Sequence, residues 1–274
     1  MKRINRRSRM VLFTVFMAVM LAAVYSSGIL ISEDMVTGSF LNAKIPPCPA
    51  HPFGTDALGR DLFFRTLKGM SVSITVGLAA SAVSAVIAVL AGAAAAIGSK
   101  RVDAVINWLI DLVMGIPHTI LIILISFALG RGLKGLIAGI AATHWCSLAR
   151  LVRGEVLQLR SERYVAISRK LGKSGGFILM HHMLPHLAPQ FLVGLILMFP
   201  HAILHEASIS FLGFGLPPEQ PAIGIILSES MRCLSAGMWW SAVLPGLTLV
   251  LLVLMIDRLG EQLQRILDPY SAQE

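Results

Sequence analysis

The chain has 274 residues, of which 55% are hydrophobic and only 14% are charged. Soluble domains carry about 25% charged residues, so the composition excludes an ordinary soluble protein and indicates an integral membrane protein. The net charge is +8 and the pI is about 9.9. The basic residues lie at the ends of apolar stretches, which indicates membrane topology and excludes a nucleic-acid surface.

Six apolar stretches are each near the length that a bilayer requires, so the sequence predicts an all-α membrane protein with about six transmembrane helices. The first stretch follows a basic opening and resembles a signal peptide. At about 20 residues it exceeds the usual signal core, and we expect an uncleaved span. In the third stretch, Pro117 removes a backbone hydrogen bond and predicts a kink. The predicted spans are 11–31, 72–98, 106–129, 133–149, 187–211 and 241–260.

The positions of Lys and Arg predict the orientation of these spans. With the N-terminus inside, most of the 23 Lys and Arg residues lie on the cytoplasmic side, as the positive-inside rule requires. We therefore expect a multi-pass membrane protein with both termini in the cytoplasm. The same orientation places the loop between the fourth and fifth spans inside the cell.

That inner loop, residues 162–185, is the longest polar and basic interruption of the sequence. A helix-forming block at 164–171 is followed by a glycine-rich break at 172–176. A second short helix at 177–184 is predicted to end at Pro185. A helix–turn–helix on the cytoplasmic face suits contact with another protein, although an ordinary basic loop remains the structural alternative.

The spacing within the inner loop resembles the EAA coupling loop of ABC-importer permeases. Nine residues separate Gly172 from the sequence at 182–185, His-Met-Leu-Pro, although Ala-Ile-Ser at 166–168 replaces Glu-Ala-Ala. The form found in peptide and nickel importers is nearer, and it implies docking in a cleft on a separate ATPase subunit. The residues assigned to this coupling are Tyr164, Val165, Ala166, Leu171, Gly172, His182, Leu184 and Pro185.

The first outer loop contains HPFGTDALGRD at 51–61, which resembles the signature of oligopeptide, dipeptide and nickel permeases. All the fixed positions of that signature are present. The residue types predict a tight turn in which Asp56 and Asp61 pair with Arg60 or cap the following helix. The residues assigned to this extracytoplasmic signature are Gly54, Thr55, Asp56, Gly59, Arg60 and Asp61.

A third matching stretch, E-A-x-x-S-F-L-G-x-G at 206–215, extends the resemblance over roughly residues 50–262. The resemblance implies the type I ABC-importer permease fold and transport by alternating access. It also implies a second permease subunit, two ATPase subunits that bind ATP and magnesium, and an extracytoplasmic solute-binding protein. We expect an N-terminal helix and outer loop at 1–70, a permease core at 71–262 and a cytoplasmic tail at 263–274.

The sequence lacks the patterns that catalysis by this chain would require. Gly172-Lys173-Ser174 supplies only the end of a phosphate-binding loop, because Ile167 stands where its first glycine belongs. The histidines and glutamate at 201–206 have the wrong order for a metalloprotease, and the three cysteines form no C-x-x-C pair. We therefore expect a non-enzymatic subunit without a cofactor. A channel would leave the coupling loop unexplained.

Histidines within or near the spans provide the only indication of the substrate. Ionisable residues in spans are costly and usually face a cavity or a partner. His201 and His205 lie four residues apart and share one helix face, and imidazole suits nickel. We therefore expect nickel or a nickel chelate as the substrate, with dipeptides or oligopeptides as the alternative substrate. The alternative role of these histidines is simple hydrogen bonding between helices. The translocation-path candidates are His118, His144, Met198, His201, His205 and Glu206, with His201 and His205 as transient metal ligands.

Overall fold

The computed structural model describes residues 6–267. The regular secondary structure of this part of the chain is α-helical apart from two isolated β-bridges and short 3₁₀ and π turns, and irregular loops join the helices. The fold class predicted from the sequence is therefore confirmed. The helices are α1 (Arg6–Leu30), α2 (Leu62–Ile97), α3 (Lys100–Gly115), α4 (His118–Ala128), α5 (Leu133–Arg160), α6 (Arg163–Lys170), α7 (Gly175–Ile178), α8 (Leu184–Phe211), α9 (Ile223–Leu234) and α10 (Trp240–Leu267).

Five of the described helices, α1, α2, α5, α8 and α10, are long and apolar enough to cross a membrane. α3 and α4 pass the same test together as a bent pair, which has the form of a broken span or a re-entrant loop. All six predicted stretches therefore coincide with candidate spans. The helices extend beyond the predicted limits at several ends. α2 begins at Leu62, so the expected boundary after residue 70 falls inside a helix. The end of the expected tail, from residue 268, lies outside the described residues.

The third span is broken rather than kinked. α3 and α4 are bent by 101° relative to each other. Ile116 has an extended backbone, with φ −97° and ψ 137°, because the ring of a following proline disfavours the helical conformation. Pro117 then precedes the first residue of α4, where the missing N–H costs no helical hydrogen bond. The break places His118 at the point where the chain changes direction.

α2 is the central helix and packs against α1, α3, α5, α8, α9 and α10. Most of its buried positions hold alanine, glycine or serine, and small residues allow helices to approach closely in a membrane. Ser84 adds a direct link, since its hydroxyl donates to the carbonyl oxygen of Ala141 on α5 at 2.8 Å. The helices that carry the candidate sites are therefore arranged around α2.

Ion pairs fasten α3 to the C-terminal half of α5. The guanidinium of Arg153 donates two hydrogen bonds to the carboxylate of Asp103, both at 2.6 Å. A second ion pair between the same two helices joins Arg150 on α5 to Asp111 on α3. These contacts hold α3 beside α5 on one side of the break, while α4 packs on the opposite half of α5.

Candidate functional site

The inner loop forms two short helices that meet at a glycine. Gly172 has φ +77°, a left-handed conformation that glycine adopts at helix ends without a steric penalty. Val165 is fully buried and packs in the same cluster as Ile178 and Met183. Buried side chains from both halves of the loop therefore attach it to the helical core.

Much of the remaining loop surface is apolar and exposed. Tyr164 is 42% exposed, Leu171 is 73% exposed and Met180 is 59% exposed. Ala166 and Pro185 are exposed as well, and Leu184 is half-buried. Grouped apolar side chains at a surface mark an interaction site, and these residues form the protruding surface of the loop.

His182 belongs to the interior of the loop more than to its surface. Its Nε2 lies 3.2 Å from the hydroxyl of Ser168 on α6, and its ring lies 5.9 Å from that of Tyr164, centroid to centroid. Ser174 caps α7 by accepting from the N–H of Phe177 at 3.2 Å. His182 therefore links the two helices of the loop, a role that its assignment to ATPase contact did not include.

The prediction that the second helix ends at Pro185 is wrong. α7 continues through a π-helical turn at Leu179–Met183 directly into α8. In this turn the N–H of Leu184 donates to the carbonyl oxygen of Leu179, five residues earlier. Pro185 then occupies the first turn of α8, where its missing N–H is tolerated. The second half of the inner loop, from Gly175, and the fifth predicted span thus form one continuous helical segment.

The outer loop is organised around the buried carboxylate of Asp56. One oxygen accepts from the N–H groups of Leu58 and Arg60, both at 2.9 Å. The other accepts from Arg60 Nε at 2.6 Å and Arg65 Nη1 at 2.9 Å. Gly59 has φ +72°, and a Cβ there would lie 1.9 Å from the carbonyl oxygen of Ser39, so the tight turn requires glycine.

Asp61 caps α2, and this cap is the second of the two contacts predicted for the outer loop. Its carboxylate accepts from the N–H groups of Phe63 at 2.8 Å and Phe64 at 3.2 Å. Its other oxygen lies 2.7 Å from Nδ1 of His51. The structure thus contains both contacts expected of this loop, a carboxylate–arginine pair and a helix cap.

Sequence reasoning missed two members of this network, Arg65 and Glu229. Arg65 is only 3% exposed, and its guanidinium also donates to Glu229 on α9 at 2.9 Å. Arg60 donates to the same carboxylate at 2.7 Å. An isolated carboxylate in the apolar segment 223–234 was the available signal. Glu229 fastens the outer loop to a helix that is distant in the sequence.

A cavity of about 750 Å³ lies where α3, α4, α5 and α8 meet. The broken segment between α3 and α4 forms part of its wall. Five of the six candidate path residues line it, and they come from three different helices. These residues are His118, His144, Met198, His201 and His205.

Three of the histidines in this cavity are in mutual contact. The ring centroids are 4.6 Å apart for His118 and His144, 4.9 Å for His118 and His205, and 5.1 Å for His144 and His205. Nε2 of His118 lies 3.2 Å from Nδ1 of His144. His201 lines the same cavity and is exposed. The cluster therefore contains His205 but not the other half of the predicted metal pair.

Glu206, the sixth path candidate, does not line the cavity. It is fully buried, and its carboxylate accepts from the hydroxyl groups of Ser73 on α2 at 2.5 Å and Ser210 at 2.9 Å. Ser210 lies four residues later on the same helix. The hydrogen bond to Ser73 therefore gives Glu206 a role in joining α2 and α8, and a place for Glu206 in the translocation path stays a prediction.

Several candidate spans, a loop of two short helices with exposed apolar side chains and an open cavity between four helices fit the architecture of a membrane transport permease. The sequence comparison identifies the family. The chain belongs to the binding-protein-dependent transport system inner membrane components, whose sequence profile matches residues 84–269. It is therefore a transporter subunit of the ABC-importer class.

Two relatives come from Bacillus subtilis (strain 168). The dipeptide transport system permease protein DppC is 32% identical over 237 residues, which cover 86% of this chain and 74% of the relative. The oligopeptide transport system permease protein OppC is 34% identical over 236 residues, which cover 86% of this chain and 77% of the relative.

A solved structure supports the fold. An inward-facing form of the MetNI methionine ABC transporter superposes with a TM-score of 0.63 at 16% identity. The match covers 76% of this chain and 98% of that chain. At this level of identity the likeness shows the fold alone, which is that of an ABC-importer permease.

Proposed function

We propose that this chain is a transmembrane subunit of an ABC importer for dipeptides or oligopeptides. The proposal rests on two relatives that are 32% and 34% identical to this chain over 86% of its length. They are a dipeptide permease and an oligopeptide permease. They give no support to the expectation of nickel, and the peptide alternative fits better. The prediction of nickel relied on His201 and His205, but histidines inside a span also form contacts between helices.

The proposed importer contains further subunits. These are a second, related permease, two ATPase subunits in the cytoplasm and an extracytoplasmic solute-binding protein. The exposed apolar surface of the inner loop supports an ATPase contact, since Leu171 is 73% exposed although it is a large aliphatic residue. The sequence also lacks a complete phosphate-binding loop, so the energy of ATP is supplied by partner subunits.

The proposed mechanism is alternating access. ATP binding closes the ATPase pair, and the inner loop follows the cleft in which it sits. Because α7 continues into α8 through the π turn, movement of the loop reaches the cavity wall that His201 and His205 form. Most of the Lys and Arg residues lie on the side of this loop, which supports the cytoplasmic placement of both termini in the bacterial inner membrane.

Uptake by cells that express the whole importer tests the substrate. We expect radiolabelled dipeptides or oligopeptides to accumulate in an ATP-dependent manner, and nickel not to accumulate above background. The matched control is the same importer with the catalytic glutamate of its ATPase subunits replaced by glutamine. Accumulation of nickel without accumulation of peptides would overturn the proposal.

A further inference from the structure

We propose that His118, His144 and His205 form a binding site for a divalent transition-metal ion of the zinc, cobalt and nickel class. The site is separate from the question of what the importer carries, and it does not depend on the peptide substrate proposed above. One ligand nitrogen from each of the three side chains lies within 4.8 Å of the other two. Each histidine comes from a different helix, α4, α5 or α8.

The spacing of the three rings fits a common metal geometry. Imidazole nitrogens bind zinc at about 2.0–2.1 Å, so two nitrogens in a tetrahedral site are about 3.3 Å apart. His118 and His144 already hold a pair of nitrogens at 3.2 Å. The nitrogen of His205 needs a movement of about 1.5 Å or less to reach that spacing, which rotation of its side chain provides.

Two further contacts of His144 hold its ring in position beside His118. Nδ1 of His144 lies 2.9 Å from the carbonyl oxygen of Ile140 and 3.2 Å from the hydroxyl of Thr143. An ion bound at Nδ1 would replace these two contacts, because one ring nitrogen cannot donate a hydrogen bond and bind a metal ion at the same time.

The surroundings select the class of ion. No carboxylate lines this cavity among the described residues, and Glu206 is directed away towards Ser73 on α2. Calcium and magnesium require oxygen ligands, whereas a set of three imidazoles favours borderline ions such as zinc, cobalt and nickel. The open cavity leaves a fourth position for water or for His201, which lies one turn before His205 on α8.

A bound ion would connect three helices that meet at the broken span. His118 is the first residue of α4, immediately after the 101° bend, and the other two ligands lie on α5 and α8. Alternating access requires this part of the wall to change shape, so an ion that joins the three helices opposes the change. Zinc is therefore expected to inhibit import through this site.

Cobalt binding to the assembled importer tests the site directly. The importer is purified with an affinity tag that contains no histidine, and Co²⁺ is titrated while its visible d–d absorption is recorded. We expect one Co²⁺ per copy of this chain, displaced by Zn²⁺. His144→Gln and His118→Gln should each weaken binding by at least about tenfold, while the exposed His186→Gln, the matched control, should bind as the parent does.

Two results overturn the proposal. One is the absence of a saturable cobalt spectrum in the parent, which would mean that the three histidines only hydrogen-bond to one another. The other is equal binding by the parent and the His118 variant. If the His144 variant does not assemble, cobalt binding by the His118 variant is compared with that of the parent, because His118 is only half-buried. Because binding is measured without transport, a failed peptide-uptake assay leaves this result unaffected.

Discussion

The outer loop at 51–61 and the inner loop at 162–185 both match family signatures, but they are built in opposite ways. In the outer loop the key carboxylates of Asp56 and Asp61 are buried and satisfied by neighbouring groups. In the inner loop, Val165 is the only buried residue between positions 161 and 176. A loop with internal contacts keeps its shape alone, whereas exposed apolar side chains indicate that a partner completes the structure.

Asp56→Ala should produce the largest effect, because it breaks the network on which the outer loop depends. Arg65 would remain buried, with Glu229 as its remaining ion-pair partner. Removing one member of a buried ion pair costs about 3–5 kcal/mol. Thermal unfolding of the purified permease in detergent measures the loss. The exposed Asp34→Ala is the matched control and should unfold as the parent does; equal stability of the two variants would contradict the assignment.

Gly172→Val should have a smaller effect on folding and a clear effect on coupling. A side chain forced into the left-handed conformation costs about 1–2 kcal/mol, and the strain falls on the turn between α6 and α7. Copurification with the ATPase subunits and peptide uptake should both decrease. Gly172→Asn is the control, because asparagine tolerates this conformation, and it should retain most activity. Normal assembly and uptake by the valine variant would show that the turn is not needed.

Leu171→Ser should leave stability almost unchanged and still weaken the ATPase contact. A substitution at a highly exposed site changes the free energy of unfolding by less than about 0.5 kcal/mol, and Leu171 is 73% exposed. We expect a lower yield of ATPase in copurification at an unchanged unfolding temperature. The matched control is the exposed Leu30→Ser on α1, which should copurify normally. Equal yields from both variants would remove Leu171 from the docking surface.

Local patterns predicted much of the fold and part of each site. The lengths of the apolar stretches identified every candidate span, and the spacing of Asp56, Arg60 and Asp61 predicted the contacts made within the outer loop. Glu229 was missed because it lies 169 positions after Arg60 in the sequence. Such a contact depends on how α9 packs, which no short motif encodes.

The errors about proline have a related origin. Pro117 and Pro185 carry the same chemical restriction, yet one coincides with a broken span and the other with a continuous helix. The difference arises from the residues before each proline: Ile116 is extended, whereas a π turn precedes Pro185. The mutual contact of His118, His144 and His205 could not be predicted either, because each residue comes from a different helix and the three helices are far apart in the sequence.

The π turn at Leu179–Met183 also sets the angular relation between the inner loop and the cavity. A π turn accommodates one residue more than an α-helical turn, and one residue corresponds to about 100° of rotation around the axis. Deleting one residue here would convert the turn to regular α-helix. Both helical segments would persist, but the exposed apolar surface of the inner loop would be rotated by about 100° relative to the cavity wall. The rotational position of the proposed docking surface relative to the cavity therefore depends on one extra residue in this π turn.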